Sequence, residues 1–168
     1  MGTVVLVLSP TRHHKGMVDF ALAKAQQDKL HLVALFVIDT RVTDTLSTRI
    51  SDTAFLGDKV SEDFEETIIK QYEEVGRREL EEVKQRAEAL GIACRTVSRK
   101  GDLIVESLRA ARETEAQAIV IARAERFDIA RKLFGSAVDE LREKAPCPVF
   151  IIDESGVEHH SGHHTGGV

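Results

Sequence analysis

Side chains able to do chemistry gather in two stretches of this chain. Arg123, Arg126, Arg131 and Lys132 crowd a segment that ends at Gly135-Ser136. Guanidinium groups grip planar anions in a fork. A Gly-Ser step opening a helix adds free backbone N–H groups and the positive end of the helix dipole. Together they could hold a phosphate. The competing reading is a solvated charged loop, which is what charge runs usually are. The second stretch is His13-His14, which follows the first apolar run and precedes a helical pattern. Solvated histidines at a helix start are the simpler account of that pair. Ser136 and Asp139 form a Ser-x-x-Asp pattern resembling a capping box, so Ser136 reads first as an N-cap, a role compatible with touching a ligand. Cys94 and Cys147 sit in apolar runs, the latter between Pro146 and Pro148, and read as buried structural thiols. No Ser/His/Asp set or Cys-x-x-Cys pair stands out, so no catalytic residue is assigned. His159, His160, His163 and His164 could bind Ni, Cu or Zn weakly, with Glu158 as the one nearby carboxylate. A flexible tail is the default there, and no metal site is assigned.

The elements that must position these groups follow from the spacing of apolar residues. Thr3 to Leu8 is a continuous, β-branched run that stops at Ser9-Pro10-Thr11, as a central parallel strand would. Gly16 to Lys29 carries Val18, Leu22 and Ala25 at helical spacing, and Leu30 to Ile38 is a second strand ending at Asp39. Residues 39–60 are irregular and rich in Thr, Ser and Asp, an insertion of the length that is functional, mobile or partly helical. Ser61 to Leu90 is helical, with Gly76 marking a possible bend and Gly91 a stop signal. Ile92 to Val97 is a third strand. Asp102 caps the next helix, whose face carries Ile104, Leu108 and Ala111. Ala118 to Ala122 is a fourth strand, a helix opens at Gly135-Ser136 and ends at Pro146, and Pro148 to Ile152 is a fifth strand. The Gly/His-rich tail, residues 154–168, is expected to be disordered.

Strands alternating with helices predict a single α/β domain over residues 1–153, with right-handed crossovers and an open parallel sheet covered by helices on both faces. Ligands of such folds sit at the carboxyl ends of strands where the strand order reverses. That directs attention to Ser9–Lys15 and Arg123–Gly135. A chain of 168 residues with 42% hydrophobic and 30% charged residues builds one core without staples. Its net charge of −5 disfavours generic nucleic-acid binding. No run reaches the roughly eighteen apolar residues of a membrane span. The apolar N-terminus is too short for a signal segment and lacks a basic flank. Two widely spaced thiols make no disulfide framework, so the expected location is cytoplasmic.

Two segments carry a resemblance: Leu133-Phe134-Gly135-Ser136-Ala137-Val138, and Lys144-Ala145-Pro146-Cys147-Pro148-Val149-Phe150-Ile151-Ile152. With the opening strand, Val37-Ile38-Asp39 and Ala118-Ile119-Val120-Ile121, they resemble the universal stress proteins over about residues 3 to 153. The resemblance implies a five-stranded parallel sheet in the order 3-2-1-4-5, the Rossmann-like, adenine nucleotide alpha hydrolase-like arrangement. It also implies a dimer, often through the last strand. ATP-binding members carry Gly-x-x-Gly, nine residues, then Gly-Ser or Gly-Thr after strand four. Counting back from Gly135 puts Ala122 and Glu125 at the two earlier glycines, and Glu125 sets a negative charge where phosphates would lie. Where the family has an adenine-contacting Asp after strand one, this chain has Ser9, followed by Pro10 with no N–H. Val37, Gly135 and Ser136 keep the ligand-contact pattern.

These departures argue against ATP as the main ligand and for a non-catalytic, stress-type regulatory or interaction protein with no cofactor. The alternative is a nucleotide-binding module taking AMP, or ATP with Mg, its contacts drawn from Ser9, Val37, Ala122, Arg123, Arg126, Gly135 and Ser136. A third reading, an ATP-consuming enzyme using His13 and His14, is the most distant. A nucleotidyltransferase would carry His-x-Gly-His, and a pyrophosphatase loop Ser-Gly-Gly-x-Asp-Ser. This chain reads His-His-Lys-Gly and Ser-Pro-Thr. The final strand, Val149, Phe150, Ile151 and Ile152, is apolar on both faces. As a bare sheet edge it would invite aggregation, and pairing with its own copy would cover it as an isologous homodimer. No nucleic-acid or membrane partner is expected.

Overall fold

The computed structural model describes residues 2–10, 12, 15–40, 58–123, 137–153 and 156–160. In chain order the elements are β1 (Thr3–Leu8), α1 (Lys15–Gln27), β2 (His31–Asp39), α2 (Asp58–Ala89), β3 (Cys94–Gly101), α3 (Leu103–Glu113), β4 (Ala116–Ala122), α4 (Ala137–Lys144), β5 (Val149–Asp153) and β6 (Gly156–His160). Five parallel strands lie in the order β3-β2-β1-β4-β5, and β6 is added antiparallel beyond β5. The central strand is β1, paired with β2 from Thr3↔His31 to Leu8↔Phe36 and with β4 from Thr3↔Ala116 to Val7↔Ile121. All six of its residues are buried, which is why the run lacks polar alternation.

Alternate residues of the strands feed two cores. On one face Val4, Leu6, Leu8, Phe36, Val120 and Phe150 pack with Met17, Ala21 and Leu22 of α1 and Leu80, Val83 and Ala87 of α2. On the other, Val5, Val7, Leu35, Ile119 and Ile151 pack with Leu103, Ile104 and Leu108 of α3 and Val138 and Leu141 of α4. Each fully buried aliphatic side chain contributes about 1.5–3 kcal/mol. Arg86 of α2 pairs with Asp19 of α1 at the surface, a contact worth little beside that burial.

Helix ends follow local chemistry. Asp102 accepts hydrogen bonds from the N–H groups of Ile104 (2.8 Å) and Val105 (3.0 Å), the expected N-cap. Gly91 stands at φ +74 after α2, and the Ile92 N–H reaches back to the Ala87 carbonyl at 2.9 Å. That is a Schellman ending, with Ile92 and Ala87 both buried. Lys29, at φ 55, plays the same part after α1, where the Leu30 N–H reaches the Ala25 carbonyl at 2.8 Å.

Two expectations change, the end of the third strand and the disordered tail, and two others are placed as follows. Gly76 marks no break: α2 runs through it from Asp58 to Ala89, and a Cβ there would stand 2.5 Å from Cδ1 of the buried Phe36 ring. The glycine is set by close helix–sheet approach. The irregular stretch 39–60 falls mostly on residues outside the described set, and residues 58–60 already belong to α2. The third strand continues to Gly101, because an edge strand with polar Ser98, Arg99 and Lys100 loses the apolar signal but keeps its ladder to β2. Finally, the tail is not wholly disordered, since Gly156–His160 pairs with β5 from Asp153↔Gly156 to Val149↔His160. The backbone groups on the outer side of β5 draw a strand from sequence with little apolar character. The final strand of the parallel set is therefore not the sheet edge.

At the opposite edge, β3 carries Arg95, Arg99 and Lys100. Arg99 donates to Glu113 (2.8 Å) and lies 3.5 Å from Glu106, itself nearly buried. The Arg99 hydrogen bond holds the Glu113 carboxyl below its ordinary range.

Candidate functional site

The strand order turns at β1, whose neighbours β2 and β4 are reached in opposite directions, so the crevice of interest lies at the carboxyl ends of β1 and β4. Register brings the expected groups there. Leu8 pairs with Phe36, so Ser9 and Val37 come next on adjacent strands. Val7 pairs with Ile121, which brings Ala122 and Arg123 to the same end, and Ala122 pairs with Ile152 of β5.

Immediately after β1 the chain folds back on itself. Ser9 and Arg12 form an isolated antiparallel bridge, and the Arg12 N–H donates to the Ser9 carbonyl at 3.3 Å. The turn aims the Arg12 side chain across to β4, where Nη1 donates to the Ala122 carbonyl at 3.1 Å. Arg12 is only 7% exposed. A guanidinium cannot be neutralised, so burying it requires such acceptors. Ser9 is 2% exposed, and its Oγ is buried with no hydrogen-bond partner. A buried hydroxyl left in this state costs about 1–3 kcal/mol. Arg123 anchors the far side: its N–H donates to the Ile152 carbonyl at 3.0 Å, and its Nε lies 3.8 Å from Asp153 Oδ2.

Of the site residues read from sequence, Ser9, Val37, Ala122 and Arg123 are gathered at these strand ends. The side chains of Val37 and Ala122 are buried in opposite cores, which leaves their backbone as what they can offer a ligand. Arg126, Gly135 and Ser136 lie outside the described residues, as do His13, His14, Arg131 and Lys132. Asp139, the partner expected for Ser136, pairs with Arg142 at 3.2 Å.

Arg12 was missing from the sequence reading. Its signal was its place: the one arginine in the loop after the central strand.

The thiols stay out of the chemistry. Burial alone pushes Cys147 up to about 11, and burial followed by the charge of Glu88 raises Cys94. Neither is a thiolate near neutrality. Among the described residues no group of three His, Cys, Asp or Glu is placed to hold a metal, and no helix is long and apolar enough to cross a membrane.

With this geometry in hand, comparison with known proteins is informative. The model of the Universal stress protein family matches residues 1–153. No curated protein matches the sequence. Among solved structures, the universal stress protein UspA from Lactobacillus plantarum is similar at a TM-score of 0.61 and 18% identity, covering 90% of this chain and 97% of its own. A protein of the universal stress protein family from Burkholderia pseudomallei gives 0.59 and 22%, with 90% and 95% covered. A universal stress protein in complex with cAMP gives 0.57 and 18%, again with 90% and 95% covered. At these identities the likeness is one of fold.

Proposed function

The chain belongs to the universal stress protein family, and from that premise we propose that it is a non-catalytic regulatory or interaction protein, working as a cytoplasmic homodimer without ATP. The observation that carries this reading is the buried Arg12. Its guanidinium, held in the turn after β1, engages the Ala122 carbonyl at the end of β4. Phosphate cradles need backbone N–H groups brought close by glycine. In the sequence motif, Ala122 and Glu125 hold the places of the two glycines, and Glu125 adds a negative charge unfavourable to a phosphate. The free state of both cysteines supports the cytoplasmic setting.

One observation favours a second reading, a nucleotide-binding module. The buried, unpartnered Ser9 hydroxyl stands at the strand end where a ligand atom would satisfy it. In that reading Arg123, Arg126, Gly135 and Ser136 hold the phosphates, Mg accompanies ATP, and cAMP is a second candidate because one solved relative binds it.

Calorimetric titration with ATP, with and without Mg²⁺, and with cAMP separates the two, once copurified nucleotide has been assayed. No heat, no thermal shift and no copurified nucleotide are expected. Binding at micromolar affinity transfers the assignment to the second reading.

A further inference from the structure

We propose that β6 is a displaceable cover over the homodimer contact, which is the outer edge of β5. This rests on the homodimer reading above and specifies how it is controlled.

A strand pairing with its own copy across a twofold axis must run antiparallel to it. The β5–β6 pairing is antiparallel, over five residue pairs from Val149↔His160 to Asp153↔Gly156. Thus β6 holds, within one chain, the N–H and C=O groups that β5 of a second copy would take. Both cannot be satisfied together.

The two competitors are unequal. The strand being covered reads Val-Phe-Ile-Ile-Asp, with Val149 to Ile152 all buried. The cover reads Gly-Val-Glu-His-His, and glycine and charged residues are poor strand formers. Two residues separate the strands, so the cover closes as a local hairpin at small entropic cost. Val157 is its one strongly apolar residue. A strand added without a hydrophobic face of its own is marginal.

The other edge does not compete for this role. Edge strands bearing charges are protected against pairing, and β3 carries Arg95, Arg99 and Lys100, with Arg99 committed to Glu113 and Lys100 paired with Glu73 at 2.6 Å. The occupant that fits β5 is therefore a second copy of this chain, and dimerisation is set by whether β6 is seated.

The test uses the full chain with β6 either locked or weakened. Asp153→Cys with Gly156→Cys staples the register pair nearest the connection when oxidised and frees it when reduced. Val157→Pro with Glu158→Pro removes two successive N–H donors, one of which must face β5. Sedimentation velocity is run on each at micromolar concentration. The expected result is self-association at least about tenfold tighter in the proline variant than in the natural chain, with the oxidised staple weaker than its reduced form by a similar factor. Equal association in all forms overturns the proposal. An oxidised staple that dimerises as tightly as its reduced form also overturns it, while leaving the homodimer reading intact. A monomer in every form overturns both.

Discussion

Replacing Gly76 by alanine pits two effects of opposite sign against each other. In an exposed helix interior the change would stabilise the protein by about 1 kcal/mol, because glycine is a poor helix former. At position 76 the new methyl would sit 2.5 Å from Cδ1, 2.6 Å from Cε1 and 2.9 Å from Cγ of Phe36. Ordinary carbon–carbon contact is about 3.5–4.0 Å, so ring and helix must separate by roughly 1 Å. Phe36 is 0% exposed on a central strand, so the ring has no free space to enter. Overpacking of this kind costs about 1–3 kcal/mol. Net of the propensity gain, Gly76→Ala is expected to destabilise by up to about 2 kcal/mol, read as a lower urea midpoint at unchanged slope. Phe36→Leu trims the opposing side chain. In the double variant the added methyl should partly fill the vacated space, giving a favourable coupling of about 1 kcal/mol. A Gly76→Ala protein more stable than the natural one, or strictly additive variants, would refute the close-approach argument.

Three other outcomes are expected. Arg12→Ala removes a charge-assisted bond to the Ala122 carbonyl and should lower stability by about 1–3 kcal/mol; an unchanged melting temperature would show that the guanidinium does not hold the turn to β4. Asp102→Ala deprives two N–H groups of their acceptor and should cost about 1–2 kcal/mol, while Asp102→Asn keeps most of the cap; chemical denaturation of the pair checks this. The Cys147 thiol keeps its proton up to about 11 when folded, whereas its ordinary value is 9.0, so its contribution is fully present below pH 9.0 and is lost as pH rises toward 11. Thermal melts of the natural chain should show a steeper alkaline decline than Cys147→Ala, and parallel declines would contradict a protected thiol.

What could be read beforehand was whatever is encoded locally. The run from Thr3 to Leu8 is apolar because both its faces are covered. Asp102 and Gly91 end helices through bonds to residues within a turn or so of themselves. Other features depend on contacts that no short window contains. Gly76 resembles a weak point in a helix until Phe36 is seen behind it. Arg12 finds its acceptor 110 residues away. The strand at Gly156–His160 is imposed by the edge it covers, since its own residues carry no strand signal. The candidate crevice was legible to the extent that strand ends define it: the meeting of Ser9, Val37, Ala122 and Arg123 follows from alternation and register, whereas the bond from Arg12 to Ala122 does not.

The alternation along β1 has a thermodynamic consequence. Val4, Leu6 and Leu8 belong to one core, and Val5 and Val7 to the other. The same interleaving recurs in β2, β4 and β5. Neither core can melt while the other persists, because the four central strands that lose one lose both. Calorimetric and van't Hoff enthalpies of the main transition should therefore agree. The helices covering the two faces are thus joined into one cooperative unit by the sheet between them, although they lie on opposite sides of it.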